Sequence, residues 1–104
     1  MKENKHLEFK SEISNTFLKT VCAFANFADG EIIFGVNDDG TPCGILNLSQ
    51  ACLDIENKIN DSINPKPDFE LVIENDALIH LKVYKGEYTP YLYKGKAYRR
   101  SNTS

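Results

Sequence analysis

Two runs of alternating residues, separated by Asn75-Asp76, constrain this chain more than any other feature. Phe69, Leu71 and Ile73 alternate with Glu70, Val72 and Glu74; beyond the turn, Ala77, Ile79, Leu81 and Val83 alternate with Leu78, His80, Lys82 and Tyr84. Strand side chains point to opposite faces in turn, so a period of two on both sides of a turn predicts an antiparallel hairpin with one buried face. An isolated hairpin is marginal in water. The rest of the chain must supply the layer that covers that face.

Two amphipathic stretches can do so. Ser11 is a plausible N-cap for a helix over about residues 12–27, with Ile13, Phe17, Val21 and Phe24 at helical spacing and Leu18, Cys22 and Ala25 widening the stripe. Asp29-Gly30 reads as its stop. A second helix is expected over about Ser49–Ile63, with Cys52, Ile55, Ile59 and Ile63 inward, ended by Asn64-Pro65-Lys66-Pro67. Between the helices, Glu31–Val36 is a β-branched apolar run read as a buried strand. Asn37-Asp38-Asp39-Gly40 then signals a hairpin turn, with a short partner strand around Pro42–Ile45. His6–Lys10 reads as a short strand, and Tyr91, Tyr93 and Ala97–Arg100 as one or two more, interrupted by Gly95. The expected fold is α+β: two helices packed on a mixed, mostly antiparallel sheet of about five to six strands. All 104 residues form one domain, with no linker and no internal repeat.

Composition narrows the function. Hydrophobic residues make up 41% and charged residues 26%, as in ordinary globular domains. The longest apolar stretch, about Ile32–Val36, is far short of the roughly 20 residues of a membrane span. No apolar segment follows the charged N-terminus, and Cys22, Cys43 and Cys52 are odd in number without CxxC spacing. A cytoplasmic protein with reduced thiols is the expectation, rather than a disulfide scaffold or a zinc site. There is no Gly-Lys-Ser/Thr loop and no dinucleotide fingerprint, so a nucleotide-hydrolysing site is unsupported.

The net charge of −3 hides an asymmetry. Residues 1–81 carry fourteen acids against six Lys/Arg, whereas residues 82–104 carry six Lys/Arg against one acid. The basic tail is interleaved with aromatics: Tyr88, Tyr91, Tyr93, Lys94, Lys96, Tyr98, Arg99 and Arg100. Basic groups pair with phosphates and aromatic rings stack on bases, but Lys at a solvated strand edge also serves simply to prevent edge pairing. The acids offer a second constellation. Glu3, Glu8, Asp38 and Asp39 could converge if the first strand lies beside the strand ending at Val36, and hard carboxylate ligands suit Mg²⁺ or Mn²⁺. Lys10 could then steady a phosphate oxygen, and His6 could support Glu8. Against that, Asp38-Asp39-Gly40 makes a turn for backbone reasons alone. His80 reads as a half-buried or surface imidazole.

The ordered set Leu7-Glu8-Phe9-Lys10, Leu18–Asn26, Gly30–Gly40, Gly44-Ile45, Asn64-Pro65, Thr89-Pro90-Tyr91 and Gly95–Arg100 resembles the Schlafen-type AlbA-like domain over nearly the whole chain. The resemblance implies a nucleic-acid-binding module. In bacterial relatives it usually sits at the N-terminus of a longer protein, labelled a DNA-binding transcriptional regulator, divergent AAA protein or helicase-related protein. Animal relatives include RNases with a three-carboxylate, metal-dependent site, whose positions here fall on Glu3, Glu8 and Asp38. The sequence departs from the family pattern at Asp29, where a second glycine is frequent, and at Asn102, where a glycine often follows the last arginine. Ser101–Ser104 reads as the start of a passage into another domain.

Three readings follow. In the first, the chain binds DNA or RNA through Lys10, Lys19, Lys94, Lys96, Tyr98, Arg99 and Arg100. In the second, it is an endoribonuclease that uses Glu3, Glu8 and Asp38 as catalytic residues and as ligands for Mg²⁺ or Mn²⁺. In the third, an exposed sheet edge pairs with itself to give a homodimer. None involves a membrane.

Overall fold

The computed structural model describes residues 2–100. The expected hairpin is formed by β4 (Asp68–Glu74) and β5 (Leu78–Tyr84), in unbroken register from Asp68 opposite Tyr84 to Glu74 opposite Leu78. Asn75 and Asp76 both adopt positive φ, 52° and 51°, the signature of a tight turn whose twist matches the strands. β5 also pairs antiparallel with β2 (Gly30–Phe34), and β2 pairs in parallel with β1 (Leu7–Lys10). The sheet order is therefore β1-β2-β5-β4. Parallel neighbours need a crossover, supplied by α1 (Phe17–Phe27). α2 (Leu48–Ser62) follows β2 and leads into β3 (Ile63–Asn64), which pairs with β6 (Leu92–Tyr93) in a separate two-stranded sheet. The fold is α+β, two helices on a mixed sheet, with six strands in all.

Periodicity decides the packing. Phe17, Leu18 and Val21 of α1 and Ile55 and Ile59 of α2 close over Ile32, Phe34, Ile79, Leu81 and Val83, all buried. Phe17 meets Phe34 edge to face, ring centroids 5.3 Å apart. A smaller cluster, Phe9, Ile33 and Val36 with Leu7 and Leu78, lies on the opposite sheet face. One amide joins α1 to the C-terminal segment: Tyr91 N–H donates to Asn26 Oδ1 at 2.6 Å, and Asn26 Nδ2 donates back to the Tyr91 carbonyl at 2.9 Å. Asp29 has a structural use, because its carboxylate accepts the Lys85 N–H at 2.7 Å and pins the end of β5. The three cysteines are free thiols. Among the described residues no helix is long and apolar enough to cross a membrane.

Four expectations need correction. The first helix begins at Phe17, not near residue 12, and Thr16, not Ser11, is its N-cap. Ser14 Oγ, Thr16 Oγ1 and Lys10 Nζ hydrogen-bond among themselves, and such short polar side chains compete with helix formation. Ile13 packs on the core from the connection, which is why its spacing mimicked a helix. The strand expected at Pro42–Ile45 shrinks to a single bridge between Val36 and Pro42. Gly35, at φ +98°, ends β2, and its carbonyl accepts both the Cys43 and Gly44 N–H groups, leaving no ladder to propagate. The second helix is displaced by one residue at each end. Among the described residues of the C-terminal segment only Leu92–Tyr93 is a strand, and residues 97–100 are not. Asn102 and Ser101–Ser104 lie outside the described residues.

Two stability predictions follow. A methyl group on Gly30 would lie 2.3 Å from the buried Phe24 ring. Overpacking of this kind costs about 1–3 kcal/mol, so Gly30→Ala should lower the urea midpoint; an unchanged midpoint would mean the ring yields freely. The second concerns His80, bridged to Glu31 of β2 and Glu74 of β4 on the sheet face away from the helices. Burial pulls its pKa down, but hydrogen bonds and charge from the two carboxylates outweigh this and hold it above the ordinary value. A folded-state pKa above the unfolded one, about 6.5, stabilises fully below that pH and is lost as pH rises through the folded value. Wild-type stability should therefore decline over that range by more than that of His80→Gln; identical pH profiles would remove the clamp.

Candidate nucleic-acid interface

Alternation along β1 turns Glu8 toward the helix layer, where it is 3% exposed. Its carboxylate accepts Thr20 Oγ1 at 3.0 and 3.1 Å, pairs with the Arg100 guanidinium, and lies 3.8 Å from Lys10 Nζ. Arg100 is equally committed. Its Nε donates to the Lys5 carbonyl at 3.2 Å and its NH2 group to those of Asn4, at 2.9 Å, and Leu7, at 3.3 Å. The guanidinium also stacks on the Phe24 ring, 5.6 Å from its centroid. One side chain thus gathers the carbonyls of the N-terminal segment and neutralises the buried acid beneath α1.

The other two carboxylates of the family-implied metal set lie elsewhere. Glu3 bonds along β1, its carboxylate accepting the Phe9 N–H at 3.0 Å. Asp38 is exposed in the turn beyond β2. Its neighbour Asp39 accepts the Thr41 hydroxyl at 2.6 Å and the Thr41 N–H at 2.9 Å, and these bonds lower its pKa. Parallel pairing does set β1 beside β2, as convergence required, but it does not bring Glu3, Glu8 and Asp38 into one ligand cluster. Among the described residues no group of three His, Cys, Asp or Glu has the geometry to hold a metal ion. The Glu8 oxygens already accept Thr20 and pair with Arg100, with Lys10 3.8 Å away. His6 faces the Asp29 carbonyl, 3.2 Å from its Nδ1, rather than Glu8.

The basic and aromatic residues divide into three groups. Tyr93–Lys96 forms a hairpin tip closed by reciprocal backbone bonds of 2.9 and 3.1 Å, with Lys94 at φ 52° and Gly95 at φ 76°. Nothing lies within 4 Å of where a Gly95 side chain would begin, so the tip projects. Lys94 Nζ lies 5.5 Å from the Tyr93 ring centroid, Tyr93 lies 6.0 Å from Tyr98, and Lys19 Nζ of α1 lies 5.6 Å from Tyr98. Lys19, Tyr98, Tyr93 and Lys94 therefore form one continuous ladder, with exposed Lys96 on the same hairpin. Lys10 forms the second group, 3.1 Å from Thr16 Oγ1 at the start of α1. Arg99 is the third, stacked on exposed Phe27 at the far end of α1. Arg100 alone of the proposed phosphate ligands turns inward.

Sequence inspection missed part of this surface. An open groove of about 740 Å³ runs beside the hairpin, lined by Asn15, Lys58, Asp61, Tyr93 and Lys94 among others. Lys58 Nζ donates to Asn15 Oδ1 at 2.7 Å, joining α2 to the connection before α1. The only signal was a lone lysine on the polar face of a helix.

Known proteins resemble this chain in sequence pattern and in fold. The family model described as Schlafen, AlbA_2 matches residues 3–104. The N-terminal domain of a RecG-related protein of Nitrosomonas europaea, whose name refers to an ATP-dependent DNA helicase, superposes with TM-score 0.58 at 25% identity, over 95% of this chain and 78% of that one. The DIP2311 protein of Corynebacterium diphtheriae superposes with TM-score 0.61 at 18% identity over 94% of this chain, which spans 21% of that chain. No curated protein matches.

The buried pair generates a sharp expectation. Removing one partner of a buried ion pair costs about 3–5 kcal/mol, because the other charge is left without compensation. Glu8→Gln and Arg100→Met should each cause a large loss in denaturant titrations. The double variant Glu8→Gln/Arg100→Met should lose clearly less than the two single losses combined. Additive losses would show that the two side chains act separately.

Proposed function

Because the chain belongs to the Schlafen AlbA_2 family and sets Lys94 and Lys96 on a projecting hairpin, linked through buried Tyr93 and half-buried Tyr98 to Lys19 of α1, we propose that it is a nucleic-acid-binding module that holds its ligand without cleaving it. The ladder is the observation that carries this reading. Lys19, Lys94 and Lys96 contact phosphates, with Lys10 and Arg99 extending the track toward either end of α1. Such contacts dominate affinity and carry no sequence information. Tyr98, half-buried between Lys19 and Tyr93, offers a ring edge to an unstacked base. Arg100 acts on this surface only by holding the C-terminal segment in place.

The kinship with a RecG-related N-terminal domain supports the same reading, in which the module works as one part of a longer protein such as a regulator. The donor set supports binding over hydrolysis, since Glu8 is occupied by Arg100.

Fluorescence anisotropy with labelled RNA and DNA oligonucleotides tests the proposal. Affinity should fall linearly on a log–log plot against salt, with a slope of about −0.9 per phosphate contact on duplex DNA and about −0.7 on single strands. Lys94→Ala/Lys96→Ala and Lys19→Ala should each weaken binding and flatten the slope by about one per lysine removed. Salt-insensitive or absent binding would defeat the reading. RNA cleavage switched on by Mn²⁺ and lost in both Glu8→Ala and Asp38→Ala would replace it with the nuclease.

A further inference from the structure

The two edges of the four-stranded sheet are finished differently. β1 is four residues long, and the Leu7 carbonyl is taken up by Arg100. β4 is seven residues long and pairs only with β5 in the sheet order. Natural edges are usually blunted by charged side chains, lysine above all, by proline, a bulge or shortness, and the charges on β4 are all acidic. β4 contains no lysine and no proline, and its register with β5 has no bulge. Val72 and Ile73 are 41% and 46% exposed, on opposite faces of the strand. Glu70 and Glu74 lean back toward β5, bonded to Tyr84 and His80, which leaves the outer edge open.

The side-chain pattern selects what could pair there. Asp68, Glu70 and Glu74 share one face with Val72, while Phe69, Leu71 and Ile73 share the other. A second copy of the strand fits poorly. Antiparallel pairing centred on Leu71 sets Asp68 against Glu74 of the other copy, and pairing centred on Val72 sets Glu70 against Glu74. Like charges directly opposite are destabilising. The same register welcomes opposite charge.

We propose that the free edge of β4 is a docking site for an extended segment of a partner protein in which basic and apolar residues alternate, added to the sheet as a further strand. Main-chain bonds supply affinity in this mode, and alternate side chains supply specificity. The segment's apolar side chains cover Ile73 on one face and Val72 on the other, and its basic residues lie opposite Asp68, Glu70 and Glu74. The second carboxylate oxygens of Glu70 and Glu74 stay available while the first hold Tyr84 and His80. The site lies at the sheet edge opposite β1, away from Lys10 and the Glu8–Arg100 pair.

The test uses a labelled peptide, Lys-Val-Val-Val-Lys-Val-Lys, whose order places lysines opposite Glu74, Glu70 and Asp68 in antiparallel pairing. The full chain should bind it saturably, and more weakly as salt rises. N-methylation of alternate residues along one edge of the peptide should abolish binding, while methylation along the other edge should leave it. Glu70→Gln/Glu74→Gln, which keeps side chains able to bond Tyr84 and His80, should weaken binding several-fold, up to about tenfold. Absence of saturable binding, or equal binding by both methylated peptides, overturns the proposal. So does a concentration-dependent dimer in light scattering that the peptide fails to dissociate, which would assign the edge to a second copy. No nucleic acid enters the measurement, so the result is independent of the binding reading above.

Discussion

The buried contact between Glu8 and Arg100 is the constraint around which the rest of the molecule is arranged. An acid under a helix is tolerable only if it is paired and fully hydrogen-bonded. Glu8 meets that condition through Arg100 and Thr20, and Arg100 spends its remaining donors on three carbonyls of the N-terminal segment. Arg100 thereby ties the C-terminal segment to residues 4–8 over the edge strand β1. α1 is held from the other side by the Asn26 amide, which treats Tyr91 as a neighbouring strand would. Between these ties the C-terminal segment has little choice of path, and the Tyr93–Lys96 hairpin is pushed outward.

That arrangement has a functional consequence. A carboxylate implied as a metal ligand and an arginine implied as a phosphate ligand neutralise each other inside the protein. What remains on the surface is a set of lysines beside half-buried Tyr98 on one side and an acidic, partly apolar strand edge on the other. The charge asymmetry along the chain becomes an asymmetry in space. Exposed Lys19, Lys94 and Lys96 lie on α1 and the hairpin, whereas Asp68, Glu70 and Glu74 lie on β4.

Local pattern carried much of the fold. Alternation through residues 69–84, the Asn75-Asp76 turn and the stripes of both helices were legible because each rests on neighbours three or four residues apart at most. The start of α1 was less so, because Ile13 reaches the core from a connection and mimics helical spacing. The loss of the 42–45 strand was also hidden, since it depends on the conformation of Gly35 and on where its carbonyl points. The candidate site was legible in composition but not in direction. Lys94, Lys96 and Arg99 are exposed and Tyr98 is half-buried, while Arg100, adjacent to Arg99, is buried.

By itself the sequence determined an α+β domain, its hairpin, its core-facing stripes and a basic, aromatic C-terminal segment, because these follow from the period of two or 3.6 and from turn chemistry. Tertiary structure alone decided which charges face water. Glu8 and Arg100 are separated by 92 residues and find each other only when β1, α1 and the C-terminal segment are packed together. No local rule tells a phosphate-binding arginine from one that closes a fold, because the difference lies in what waits at the end of the side chain.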